Sequence, residues 1–177
     1  MPATADWTQP RDWSVDELVT AALLNEQLRD NLEFLKNPPT DLSDLDEASD
    51  YSTTSTSFVD IDATNLAQTI ETEGGDVLVT FTGTVSHYQG AYRMYFDIDV
   101  DGARQGGDDG IFSQVLMTQT NPYGVGICLA YWIQGLEAGS HTFKLQWKMN
   151  ANTGYLFAGA GTSGADLHPQ FTAREVS

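Results

Sequence analysis

Apolar side chains in the first fifth of the chain recur at alternating intervals of three and four residues, the spacing of a helix with one apolar edge. The pattern predicts a helix over residues 14–36. Ser14 and Glu17 form a capping-box pair at its start, and Asn37 before two prolines ends it. The edge has the spacing of a coiled-coil seam and consists of Leu18, Ala21, Asn25, Leu28, Leu32 and Leu35.

This seam needs a partner, because a single helix cannot bury it in water. The partner is either the chain's own β domain or the same helix of neighbouring chains, and the acidic segment that follows favours self-association. Asn25 costs stability and is expected to fix the register between identical helices. We therefore predict that the six seam residues form an oligomerisation surface.

Residues 37–56 contain five acidic residues, no basic residue and many Ser and Thr residues. Prolines and like charges keep such a segment extended, so it is predicted to be an acidic linker. Leu42 and Leu45 leave room for a short contact between this linker and a neighbouring subunit.

From residue 57 onwards the apolar period changes to two, which is typical of strands with one buried face. Turn pairs such as Asp101-Gly102 and Ala138-Gly139 separate the predicted strands, as in an antiparallel sandwich or jelly roll. The predicted fold is mainly β, with an N-terminal arm and coiled-coil helix (1–36), an acidic linker (37–56) and a β-sandwich head (57–177).

The chain carries 25 acidic and 8 basic residues, a net charge of −17. Such a surface repels nucleic acid and anionic lipid, so neither nucleic-acid binding nor membrane insertion is expected. The excess of Asp over Glu and the scarcity of Lys fit a protein of a halophilic host, the alternative being an ordinary acidic surface. No signal peptide or membrane-spanning run is apparent, so we expect synthesis as a soluble protein in the host cytoplasm.

Two residue types raise questions of metal and redox chemistry. Asp97, Asp99 and Asp101 match the opening of a calcium loop, and Asp108 occupies its twelfth position. Because a strand precedes this motif, the pattern favours a solvated strand face with an Asp-Gly turn, and calcium at these four residues remains the alternative. No other cofactor is expected. The single cysteine, Cys128, lies in an apolar run and is interpreted as an inert core thiol.

No catalytic motif is recognised, and the chain is expected not to be an enzyme. The glycines between residues 159 and 164 match a dinucleotide fingerprint as a string, but no helical pattern follows them. Tyr88, Tyr92 and Tyr123 lie near predicted loops, where aromatic side chains can contact a receptor.

Two segments resemble proteins of known type. Residues 13–36 are similar to an N-terminal segment of structural proteins of tailed viruses and prophages, through Val19-Thr20, Leu24-Asn25, Arg29-Asp30-Asn31 and Leu35. Residues 135–147 resemble a strand-turn-strand of trimeric jelly-roll heads in viral fibres and of C1q-like sandwiches.

The resemblance implies a component of the virion exterior, a tail or baseplate fibre or a head turret or decoration protein, plausibly from a haloarchaeal tailed virus. It implies a homotrimer whose N-terminal region contacts other virion proteins and whose head reaches a host cell-surface glycan or glycoprotein. A dimer is also compatible with the seam. The alternative functions are a free lectin-like carbohydrate-binding module and a small glycan-cleaving enzyme.

Overall fold

The structure, a computed structural model, describes residues 7–87, 92–115, 124–159 and 167–176. Its helical run comprises α1 (Ala21–Leu24), a π-helical segment (Asn25–Asp30) and α2 (Asn31–Lys36). No helix among the described residues is long and apolar enough to cross a membrane.

The helix does not begin at residue 14 as predicted. Asp16 has φ 62°, a left-handed conformation that cannot continue into an α-helix. Ser14 and Glu17 instead close a turn, in which the Glu17 N–H donates to the Ser14 carbonyl and the Ser14 N–H to the Glu17 carboxylate. Thr20 caps the helix, because its hydroxyl accepts a hydrogen bond from the Leu23 N–H at 3.2 Å.

The described strands belong to two antiparallel sheets. In chain order they are β1 (Thr40–Asp44), β2 (Tyr51–Thr53), β3 (Val59–Asp60), β4 (Ala67–Thr72), β5 (Gly75–His87), β6 (Arg93–Val100), β7 (Ala103–Arg104), β8 (Phe112–Val115), β9 (Val125–Leu136), β10 (Gly139–Met149), β11 (Gly154–Phe157) and β12 (Gln170–Glu175). The first sheet has the order β1-β12-β5-β11-β2, with β9 on the other edge of β5. The second has the order β3-β10-β6-β7, with β4 also on β10 and β8 also on β6.

The predicted alternation of β10 is confirmed by its burial, and the apolar residues of β6 are buried as predicted. The predicted solvated face of β6 is wrong, because Asp97 and Asp99 are buried and their carboxylates accept hydrogen bonds from the segment that follows the strand. The two strands pair antiparallel, with Trp147 opposite Phe96 and Leu145 opposite Ile98. All four side chains are buried in the single core between the sheets, whereas Lys144 and Lys148 stand on the outer face. The chain is thus mainly β, with its hydrophobic core inside an antiparallel sandwich.

The segment predicted as an acidic linker takes part in the first sheet. β1 pairs with β12, β2 pairs with β11, and the Leu45 side chain is buried in the core. The acidic residues do not prevent this pairing, because Asp44 stands exposed on an edge strand where its carboxylate stays hydrated. Asn37 to Pro39 remains a short connection between the helix and this strand.

Cys128 is exposed on β9 and is not a core residue, which corrects the interpretation made from the sequence. Its neighbours Ile127 and Leu129 are buried, so strand alternation places the thiol on the outer face of the first sheet.

Candidate functional site

One side of the helix holds the N-terminal segment of the same chain. Gln27 accepts a hydrogen bond from the Arg11 N–H at 3.0 Å through its side-chain oxygen. Asn31 accepts from the Thr8 N–H and donates to the Thr8 carbonyl, both at 2.8 Å. One turn further on, the Phe34 ring lies 5.8 Å from that of Trp7, centroid to centroid. The segment from residue 7 to residue 11 therefore runs antiparallel to the helix along this inner side.

The inner side is also where the helix meets the sandwich. Asn31 and Phe34 are buried, with exposed fractions of 6% and 5%. A cavity of about 230 Å³ lies beside Phe34 and Leu35 and reaches Gly74 and Glu175 at the end of the first sheet. Burial raises the pKa of the Glu175 carboxyl, although it accepts a hydrogen bond from the Glu73 N–H at 3.0 Å.

A different face of the helix presents an exposed row of leucines, which we call the leucine row. Its members are spaced by four, four and three residues and share one face. They are Leu24, Leu28, Leu32 and Leu35, exposed by 43%, 56%, 64% and 62%.

The leucine row and the predicted seam coincide only in part. Leu28, Leu32 and Leu35 belong to both, and Ala21 and Asn25 are exposed at the start of the helix. Leu18 precedes the helix and is 80% exposed. Leu24 was missed as a surface residue because it lies outside the strict heptad positions. The structure thus places three of the six predicted residues in one exposed apolar row.

The four aspartates predicted as a calcium alternative are not gathered into one site. The Asp97 carboxylate is fully buried and accepts hydrogen bonds from Arg104 at 3.0 Å and from the Gly106 N–H at 2.9 Å. Asp99 accepts from the Gly102 N–H at 2.9 Å, and Asp108 binds Lys148 through its backbone carbonyl. Within the described ranges, no three His, Cys, Asp or Glu residues form a group that could hold a metal ion. The motif instead fixes the loop after β6.

Asp101 takes part in a separate contact with His141. The His141 Nδ1 atom lies 2.6 Å from an Asp101 carboxylate oxygen, and the Thr142 N–H donates to the other oxygen at 2.8 Å. The hydrogen bond to Asp101, followed by that to the Glu137 carbonyl, raises the pKa of His141. Burial opposes ionisation of Asp101, but the hydrogen bonds from Thr142 and His141 outweigh it and lower its pKa.

Of the three tyrosines predicted to contact a receptor, only Tyr92 lies in the part of the chain that the structure describes. Its ring is half-buried against the core and meets the His87 ring edge-on, with centroids 6.1 Å apart. Tyr88 and Tyr123 lie outside the described residues.

Comparison with solved structures finds matches that have low TM-scores and low sequence identity. Eiger TNF from S. frugiperda matches 78% of this chain and 94% of its own, with a TM-score of 0.46 and 9% identity. Dimeric latent PorU from Porphyromonas gingivalis matches 77% of this chain over 13% of its own, with a TM-score of 0.38 and 10% identity. A pentameric capsid protein from metagenomic phage sequences matches 94% of this chain and 81% of its own, with a TM-score of 0.28 and 14% identity.

No protein-family model matches the chain, and no curated protein matches it. The function therefore has to be inferred from the surfaces of the molecule itself.

Proposed function

We propose that the chain is a non-enzymatic structural subunit of a virion exterior, which assembles as a homotrimer through the leucine row. The observation that carries this proposal is that one side of the helix is covered by the chain itself and another is exposed. The chain's own N-terminal segment already covers the inner side, through Thr8–Asn31 and Trp7–Phe34, and the leucine row presents four exposed leucines. An apolar row facing water on a surface helix is typical of a contact with another chain.

The leucine row supplies enough apolar surface to contribute to assembly. Full burial of a fully exposed leucine contributes about 1.5–3 kcal/mol, and these four leucines are each about half exposed, so burying the rest of them contributes about 3–7 kcal/mol per subunit. This range overlaps the cost of association, which is about 4–15 kcal/mol. The helical contact is therefore marginal by itself.

The assignment to a virion is supported by the resemblance of residues 13–36 to an N-terminal segment of structural proteins of tailed viruses. In this arrangement the helices form a short threefold stem, the N-terminal region meets other virion proteins, and the sandwich is the head. Tyr88, Tyr92 and Tyr123 are the residues proposed to contact a host glycan or glycoprotein. The strong negative charge and the halophilic composition fit a virus of a salt-loving host.

The assembly role is tested by charge substitution in the leucine row. Leu28→Glu combined with Leu32→Glu should lower the mass measured by light scattering, because six carboxylates would meet in each trimer. Ala22→Glu is the matched control, since Ala22 is exposed on the same helix but outside the row. Equal masses for the double variant and the control would contradict the role of the row.

The virion role is tested by mass spectrometry of particles purified from the source of the sequence. The chain should be among the particle proteins, and its neighbouring genes should encode tail proteins for a fibre or capsid proteins for a turret. Absence from purified particles would contradict the proposal.

A further inference from the structure

The outer face of the first sheet contains a continuous surface without charged side chains, which we call the β5–β9 face. It is formed by the outward residues of two paired strands, which alternate with buried core residues. They are Leu78, Thr80, Thr82 and Thr84 of β5, and Gly126, Cys128, Ala130, Trp132 and Gln134 of β9. No Asp, Glu, Lys or Arg occurs among these nine residues, although the chain carries 25 acids and 8 bases. Charged residues border them at one end, where Asp76 precedes Leu78 in β5 and the exposed Arg174 of β12 lies opposite Leu78.

The β5–β9 face is partly apolar. Trp132 is 53% exposed and lies directly opposite Leu78 in the strand register. Gly126 and Ala130 project little from the strand, and the exposed Cys128 lies opposite Thr82. Among the described strands, β9 pairs only with β5, so its other edge is at the side of the sheet.

The outer face of the second sheet has the opposite character. Three basic side chains form ion pairs there, with nitrogen-to-carboxylate-oxygen distances of 3.4 Å for Lys144 and Asp60, 3.0 Å for Arg104 and Asp97, and 3.8 Å for Lys148 and Asp109. This face therefore carries charged side chains of both signs, of which Asp97 is buried. The outer faces of the two sheets therefore differ in charge.

Charge favours another copy of this chain as the occupant of the β5–β9 face. Two chains with a net charge of −17 repel each other wherever carboxylates meet, and an uncharged surface allows close approach without that repulsion. A basic partner would instead be expected to dock on acidic side chains, which the β5–β9 face lacks.

Position favours the same occupant. The cavity beside Phe34 and Leu35 of the helix reaches Gly74, which directly precedes β5. Leu78 and its partner Trp132 follow within the first residues of that strand. The leucine row and the Trp132 end of the β5–β9 face therefore lie at the same end of the sandwich.

We propose that the β5–β9 face is a second contact between copies of this chain, which continues the interface begun by the leucine row. The inference rests on the proposed function because it requires an oligomer. It also accounts for how a helical contact of marginal size holds strongly acidic subunits together.

Cys128 reports directly on this contact, because it is the single cysteine of the chain and lies within the face. Two full-length proteins are labelled with a maleimide, the unaltered oligomer and the double variant Leu28→Glu, Leu32→Glu. Labelling of the oligomer should be at least about tenfold slower, because a contacting subunit covers the thiol. The control is Cys128→Ser combined with Ser140→Cys, which moves the thiol to an exposed position on the second sheet and should label equally fast in both states.

The outcomes separate this inference from the proposed function. An oligomer in which Cys128 reacts as fast as in the disrupted variant overturns the β5–β9 contact and leaves the leucine row intact. A variant that remains an oligomer with a protected Cys128 supports the β5–β9 contact and contradicts the role of the row. A wild-type monomer contradicts both.

A second variant checks the face without a chemical label. Trp132→Glu should lower the oligomer mass, because it places a carboxylate in the contact. Val59→Glu is the matched control, since Val59 is an exposed apolar strand residue of the second sheet. Circular dichroism should show both variants folded, and an unchanged mass for Trp132→Glu would overturn the proposal.

Discussion

Asn31 and Thr8 exchange two hydrogen bonds of 2.8 Å, so that one buried amide side chain satisfies both backbone groups of a residue far away in the sequence. This pair fastens the N-terminal segment to the inner side of the helix. Its consequence is that the helix cannot use this side for another chain. Intersubunit contact through the helix is therefore expected at the exposed leucine row.

Asn31→Ala should release the N-terminal segment. The substitution removes both hydrogen bonds and leaves the half-buried Thr8 N–H and carbonyl without their partner, at a cost of about 1–3 kcal/mol. Trypsin cleavage after Arg11 should become faster, and the thermal midpoint should fall. Asn25→Ala is the control, because Asn25 is exposed on the same helix. Identical cleavage rates for the two variants would show that the pair does not fasten the segment.

Asp97→Asn should destabilise the loop between β6 and β8. The buried carboxylate holds Arg104 and the Gly106 N–H, and loss of its charge should cost about 2–3 kcal/mol in the free energy of unfolding. Urea denaturation measures this cost, with Asp108→Asn at an exposed position as the control.

Calcium should leave the thermal midpoint of the unaltered chain unchanged, because the carboxylates of Asp97, Asp99 and Asp101 are already engaged with protein donors. A midpoint that rises with calcium concentration would restore the metal alternative, since a ligand that binds the folded state stabilises it.

The contact between His141 and Asp101 should make stability depend on pH. The pKa of His141 is raised above 6.5, so its contribution is fully present below pH 6.5 and is lost as the pH rises through the folded-state pKa. The pKa of Asp101 is lowered below 3.8, so its contribution is present above pH 3.8 and is lost on further acidification. His141→Gln should therefore lower the thermal midpoint more at about pH 5.5 than at about pH 8.5. An equal effect at both values would rule out a charged pair.

The sandwich could be predicted because its signal is local. Met94, Phe96 and Ile98 alternate with polar residues, and alternation alone determines which face of a strand is buried. Three of the four residues of the leucine row were predicted for the same reason, since helical spacing is visible in the sequence, and Leu24 was missed.

Three features could not be predicted, because they depend on backbone conformation or tertiary contacts that the spacing of apolar residues does not indicate. The predicted start of the helix was wrong because Asp16, between the two residues of the capping-box pattern, adopts a left-handed conformation. The prediction of a linker was wrong because β1 pairs with β12, and this pairing stabilises β1 despite the acidic residues of that strand. Cys128 was placed in the core because an apolar run suggests burial, whereas the run belongs to a strand whose outer face is itself uncharged.

Stability should rise with salt concentration across the molar range. A net charge of −17 on a folded body is repulsive, and unfolding separates those charges. Salt screens the repulsion, since the Debye length falls to about 3 Å at 1 M. Thermal midpoints from about 0.1 to about 3 M KCl measure the effect. A flat or falling series would argue against a halophilic host.

The central claim is that copies of this chain assemble, and the mass of the unaltered full-length chain in solution tests it most directly. Light scattering in molar KCl, where repulsion is screened, should give three times the 19.3 kDa of one chain. A mass of 19.3 kDa at every protein concentration would contradict the account, because the leucine row would then face water in the functional molecule.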